Sequence, residues 1–223
     1  MKVLYIDCFA GFTSSMLLGA LIDMGASAGF AVSELRNTGI EADIISDRIS
    51  RSGMEAVFAY AKCISREVDS DFTSKHEILL RNMCDSAGVD YATNENVCQW
   101  AAVLSCIDCF GADKIICSPL TDGSGIDQKT NCPVPSTEVL TLLKRYNIPV
   151  GTIDVKKELI SKEGAVFLGE AIDEFGFLPL GNILCVGYGA GEDDIDGCVN
   201  IVRCVLTETE DASLLEGELE MML

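Results

Sequence analysis

Asp7, Gly11, Thr13 and Ser14 stand where an apolar strand breaks and a helix begins, and their types and spacing suit the capture of an ion. A carboxylate at a strand end holds a metal ion, whereas free amides and hydroxyls at a helix start hold a phosphate. Both alternatives fit these residues, and so does an ordinary strand-to-helix connection.

Positioning them needs only local elements. Val3-Leu4-Tyr5-Ile6 has the β-branched and aromatic content of a buried strand. Gly11 lets the backbone turn, and the Thr13 or Ser14 hydroxyl caps the helix by accepting from a first-turn amide. Met16, Leu17, Ala20, Leu21 and Met24 then recur at helical spacing until Gly25.

The remaining chain reads as alternating strands and helices. A helix around Ser33-Glu34-Leu35-Arg36 stops at Gly39, and strand-like runs at 42–45 and 56–61 flank Arg51-Ser52-Gly53 as a hairpin. Ser74 and Glu77 form a capping box that opens a helix to about residue 86. Val97, Trp100, Ala101, Leu104 and Ile107 mark a helix over 96–109 with one buried face, and Trp100 reads as a core anchor. A strand over 114–117 precedes a long loop between Gly123 and Pro135, and Ser136 caps the next helix. Residues 150–160 read as a strand, and Ala165, Leu168, Ile172 and Phe175 as a helix. The last strands are 182–186 and 199–205, with Gly187-Tyr188-Gly189-Ala190-Gly191 turning between them. The expectation is an α/β or α+β fold, a mixed sheet packed with helices in one domain over 1–207, and an acidic tail over 208–223.

Composition excludes several function classes. Sixteen basic against 35 acidic residues give a net charge of −19, which repels nucleic-acid phosphates and anionic lipid, so neither nucleic acid nor membrane is an expected partner. No run approaches the roughly 20 apolar residues of a bilayer span, and the N-terminus does not read as a signal peptide, so the expected location is cytoplasmic. Of the eleven cysteines, an odd count, most read as free thiols. Cys63, Cys117, Cys185 and Cys204 lie in apolar runs as small buried hydrophobes. Cys106 and Cys109 form the only close pair, without a second pair to complete a zinc site. The single histidine, His76, reads as a solvent-facing helix residue.

The opening Asp7-Cys8-Phe9-Ala10-Gly11, with Met16 and Leu18-Gly19-Ala20-Leu21-Ile22-Asp23, resembles the start of the LarC-type nickel-insertion proteins. Further matches are Gly111-Ala112-Asp113-Lys114-Ile115, Ser118-Pro119-Leu120, Pro133-Val134-Pro135, Glu158-Leu159, Gly164-Ala165, the Gly187–Gly191 motif and Asn200-Ile201-Val202-Arg203. Together they cover nearly the whole chain and correspond to the family's N-terminal part. The departures fall where chemistry is expected. Ser15 replaces a family aspartate, Ser124 an arginine, and Ser161-Lys162-Glu163 the Thr-Pro-Thr before Gly164. The family's histidine-bearing segment before the central helix becomes residues 87–95, where Asp90 and Glu95 keep acids but both histidines are gone. Carboxylates alone make a harder site than nickel prefers.

The resemblance implies CTP-dependent nickel insertion into a pyridinium bisthiocarboxylate mononucleotide, with nickel as substrate and a divalent cation accompanying CTP. Asp7, Asp90 and Glu95 would be metal ligands, and Asp90 or Glu95 would accept the ring proton displaced by nickel. Gly11, Thr13, Ser14, Gly187, Gly189 and Gly191 would bind the mononucleotide or its phosphate. A separate chain carrying the family's C-terminal domain would be a partner, and homo-oligomerisation is left open. The alternative is a non-catalytic binding or assembly module that keeps the fold without the metal-binding histidines.

Overall fold

The computed structural model describes residues 1–67, 75–127 and 130–209. In chain order the elements are β1 (Lys2–Asp7), α1 (Ser14–Asp23), α2 (Ala28–Asn37), β2 (Ile40–Arg51), β3 (Met54–Arg66), α3 (Lys75–Ala87) and α4 (Asn96–Asp108). Next come β4 (Lys114–Cys117), β5 (Leu120–Asp122), β6 (Gly125–Ile126), β7 (Pro133–Val134), α5 (Thr137–Arg145) and β8 (Val150–Thr152). The last are α6 (Lys162–Ala171), β9 (Glu174–Phe175), β10 (Asn182–Ala190) and β11 (Ile201–Glu208).

Seven strands form one mixed sheet in the order β2-β3-β10-β11-β1-β4-β9, so the protein is of the α/β class. β1 runs parallel to β4 and antiparallel to β11, with Lys2 opposite Glu208 and Asp7 opposite Arg203. β2 and β3 form a long hairpin through Ser52 and Gly53, and β10 meets β3 in parallel at Gly189 and Val57. β5 pairs with β8, and β6 with β7, as two small sheets beside the main one.

α1 forms because Thr13 caps it, accepting from the Met16 amide at 3.3 Å, and Leu17, Leu18, Ala20 and Leu21 are wholly buried. It lies across β3, β10 and β11, with α4 packed behind it. The approach is close because glycines line both sides. A Cβ on Gly189 would stand 1.7 Å from the Met16 carbonyl oxygen, one on Gly187 2.2 Å from that of Ala20, and one on Gly19 2.0 Å from that of Val57. Under the helix, Phe12, Trp100 and Phe167 stack, with the Trp100 and Phe167 centroids 4.6 Å apart. Trp100 is a core anchor, as its periodicity predicts.

Several expectations need correction. Gly187 and Gly189 lie within β10 rather than in a turn between the last strands, and their role is contact with α1. Of the expected 150–160 strand, Val150–Thr152 pairs with β5 and Ile160 bridges Phe12, but no continuous strand forms between them. Ile153 N–H goes to the Asp122 carbonyl, Leu159 N–H to the Asp122 carboxylate, and Ser161 N–H to the Phe12 carbonyl. Phe175 belongs to β9, since α6 ends at Ala171. Cys117 and Cys204 are buried, but Cys63 is exposed and Cys185 half-buried. His76 does not face open solvent; its Nε2 lies 3.1 Å from Asp108 Oδ2, joining α3 to α4. Ser74 of the capping box and the tail beyond Thr209 lie outside the described residues.

Candidate functional site

The N-termini of α1 and α4 open into one groove of about 900 Å³. Ser14 and Ser15 come from the first turn of α1, Glu95, Asn96 and Gln99 from the start of α4, and Phe58 and Tyr60 to Cys63 from β3. Glu192, just past the end of β10, completes the wall. The volume lies in the range of small-molecule sites. α1 carries no acid at its Thr13 cap or in its first turn, so the partial positive charge of its end faces the groove, whereas the α4 end has the Glu95 carboxylate at its cap position.

Each wall is fixed by identifiable contacts. The Gln99 Oε1 accepts the Ala61 amide at 2.6 Å, pinning α4 to β3. That bond fixes the orientation of the side chain, which is 8% exposed, and its Nε2 has no hydrogen-bond partner. Such a donor is costly unless something accepts from it. Arg51 donates to the Gly191 and Glu192 carbonyls at 3.1 and 2.7 Å and so holds Glu192 at the rim. Asn94 Oδ1 accepts the Asn96 amide at 3.0 Å and caps α4 in place of Glu95, leaving that carboxylate at the groove. Phe58 and Tyr60 pack with centroids 6.0 Å apart.

Of the residues singled out in the sequence, the groove brings together Ser14 and Glu95. Thr13 stands beside them as the α1 cap, its Oγ1 3.0 Å from the Ser15 hydroxyl. Asp90 lies outside the groove lining: its Oδ1 accepts the Thr93 amide at 3.0 Å and the Thr93 hydroxyl at 3.3 Å, shaping the loop that leads to Glu95. The Asp7 carboxylate is bonded by Arg203. Gly11 adopts φ +98°, and a Cβ there would lie 2.5 Å from the Leu159 carbonyl, so it admits a neighbouring segment that bonds Phe12. Gly191 packs against the Asn200 side chain. Gln99 was not anticipated, although a lone amide between Val97 and Trp100 on an apolar helix face is a visible signal.

Thiols are the other chemistry at hand. Cys63 lines the groove and donates to the Ser65 carbonyl at 3.8 Å, while burial first, then the proximity of Cys63, pushes the Cys98 thiol on α4 up to about 12. Beneath Asp7, Cys8 and Cys117 bring their sulfurs to 3.5 Å, and burial keeps Cys8 protonated far above its ordinary value. Among the described residues no three His, Cys, Asp or Glu side chains converge as a metal cage. No helix among the described residues is long and apolar enough to cross a membrane. One further buried acid sits apart from the groove. Asp122 is fully buried, its Oδ1 accepts from Gly123 and Leu159, each at 2.7 Å, and its Oδ2 has no partner. Burial pushes its carboxyl up to about 6, against the opposing pull of those two amides.

Residues 4–100 and 90–222 match the family model described as nickel insertion protein. The chain is 27% identical over 264 aligned residues to the pyridinium-3,5-bisthiocarboxylic acid mononucleotide nickel insertion protein of Acetivibrio thermocellus, covering 100% of this chain and 64% of that one. The protein of the same name from Staphylococcus epidermidis is 28% identical, with 94% and 60% covered, and that from Clostridium kluyveri 25%, with 98% and 65% covered. The chain thus spans less than two thirds of the length of these relatives. No solved structure matches it.

Proposed function

This chain belongs to the nickel insertion protein family, and on that premise we propose that its groove is where a pyridinium bisthiocarboxylate mononucleotide is held for nickel insertion. The observation that carries the reading is the meeting of two helix starts, an aromatic pair and the Glu95 carboxylate in one cavity of mononucleotide size. The phosphate rests on the first-turn amides and hydroxyls of Ser14 and Ser15. The cationic ring lies against Phe58 and Tyr60, whose π faces attract it.

In the insertion step a ring carbon loses its proton as the carbon–nickel bond forms. Glu95 is the carboxylate placed to take that proton, and Lys62 balances the charge of a bound thiocarboxylate. Asp90 acts through the loop it shapes. CTP and its divalent cation enter as co-substrates that the family resemblance implies, the setting is the cytoplasm, and a chain supplying the relatives' C-terminal part is the expected partner.

A second reading is a binding or assembly module. The observation that favours it is the groove's composition, because no histidine lines it and His76 is engaged with Asp108 on the far side of α4. One experiment separates the two. The chain, alone and with a C-terminal partner chain, is incubated with nickel, the mononucleotide, CTP and magnesium, and the metallated product is sought by mass spectrometry. Insertion predicts product that falls sharply in Glu95→Gln. No product under any partner condition removes the insertase reading. A rise in melting temperature with mononucleotide, abolished by Ser14→Asp, then supports the binding module.

A further inference from the structure

From Phe175 to Gly191 the chain carries no Asp, Glu, Lys, Arg or His, although it holds 35 acidic and 16 basic residues in all. This stretch links β9 to β10, and many of its apolar side chains lie bare. Phe177 and Leu180 are 85% and 81% exposed, and Leu178, Ile183, Leu184 and Val186 are exposed beside them. Singly exposed apolar residues are ordinary, but a contiguous group marks an interaction surface. Its place in the sheet shows why the helices leave it uncovered. Leu4, Ile6, Cys204 and Leu206 point into the main core with α1, whereas their neighbours Val3, Tyr5 and Val205 form a small cluster with Ile116 on the opposite sheet face. Ile183 and Val186 stand opposite Thr207 and Val205 in register, so they share that second face. Among the described residues, the buried apolar side chains of α1 to α6 all belong to the main core and none to the second face.

We propose that this surface is where a second copy of the chain docks, the two sheets packing face to face through the apolar side chains between Phe177 and Val186. At about 150–200 Å² for a large apolar side chain, these exposures leave roughly 600 Å² bare on each copy, so a pair buries about 1,200 Å², the lower bound of a specific interface. Charge argues for the same occupant. At −19 per chain two copies repel over most of their surfaces, and the uncharged stretch is where they approach without setting like charges against each other. The contact is isologous, the patch meeting itself across a two-fold axis, so it closes at a dimer and does not run on as a filament. No patch residue lines the groove, so the inference stands apart from the function read there.

The test is sedimentation equilibrium of the reduced chain, which should show a reversible shift towards twice the 23.9 kDa of one copy. An interface of this size predicts a dissociation constant on the order of micromolar, within reach of loading concentrations from about 1 to 200 µM. Raising the salt from about 0.05 to 0.5 M should tighten the dimer, because screening weakens the repulsion between copies and leaves the apolar contact. Phe177→Asp and Leu180→Asp, each at a side chain that is almost wholly bare, should each weaken association by at least about tenfold, with the circular dichroism of the monomer unchanged. Ile126→Asp, exposed on β6 outside the patch, should leave it intact. A chain that stays monomeric to the highest concentration, a dimer that loosens with salt, or one that survives both aspartates overturns the proposal. So does a segment 177–186 whose amides gain protection from hydrogen exchange only when a chain carrying the relatives' C-terminal part is added, since the patch then belongs to that partner.

Discussion

Replacing Asp122 with asparagine should make the protein more stable at neutral pH and remove part of its pH dependence. The carboxyl has no exposure, and burial holds its pKa at about 6 in the folded chain against 3.8 for the free group. A raised folded value means the native state keeps the proton to higher pH than the unfolded chain. The stability associated with the protonated form is therefore full below about pH 4 and declines as pH rises towards 6. Above that it is lost, a difference of about 3 kcal/mol at 1.36 kcal/mol per unit. Asparagine keeps the oxygen that accepts from Gly123 and Leu159 but cannot ionise. Urea unfolding of both proteins from pH 5 to 8 measures the effect; lower pH approaches the sequence isoelectric point of about 4.2, where low net charge favours association. The gap between the two curves should widen in favour of Asp122→Asn by about half the full difference over that interval, roughly 1 to 1.5 kcal/mol. Stability curves that stay parallel would refute the assignment of a burial penalty to Asp122.

Other outcomes follow from packing and charge. Gly189→Ala forces a methyl onto the Met16 carbonyl and should lower stability in urea unfolding by about 1–3 kcal/mol, whereas Gly29→Ala in α2, whose Cβ would meet the Ser27 Oγ at an ordinary 3.8 Å, should raise it by about 0.5–1 kcal/mol. Arg203→Leu leaves the Asp7 carboxylate, 13% exposed, without its cation. It should cost roughly 1–3 kcal/mol, largely restored when Asp7→Asn is added, as a double-mutant cycle in thermal unfolding would show.

The parts of the fold legible in the sequence are those governed by local chemistry. The Gly11 break, the Thr13 cap and the apolar repeat of α1 lie within a few residues of one another, as does the cap of α5, whereas α4 is buried on every side from Val97 to Ile107 and not on the one face its periodicity predicts, because α1, α2, α3 and β3 all pack against it. The turn at Ser52 and Gly53 likewise announces the β2–β3 hairpin, although the strands extend well beyond their apolar centres because cross-strand pairing carries their polar ends. Glycine misleads when its cause is non-local. Gly187 and Gly189 look like turn residues until α1 is laid across them. The segment after Val150 has strand-like alternation, yet the side chain of Asp122 takes the hydrogen bond a partner strand would have supplied. The groove was half visible: Ser14 and Glu95 could be nominated separately, but only the packing of α4 against α1 and β3 puts them in one cavity. Cys63 shows the same limit, since an apolar run does not say which side of its strand is covered.

The strand order also governs when this protein can come into being. β10 and β11, the last strands of the chain, sit in the middle of the sheet and join the β2–β3 hairpin to β1, β4 and β9. Residue 2 finds its partner only at residue 208, and the Met1 backbone exchanges hydrogen bonds with Thr209. At about 5–20 residues per second a ribosome takes on the order of ten seconds or longer to deliver that closing strand. Until then the two halves of the sheet are unjoined, and the part of α1 that β10 and β11 cover stays bare. Its groove, drawn from both halves, is among the last features of the molecule to exist.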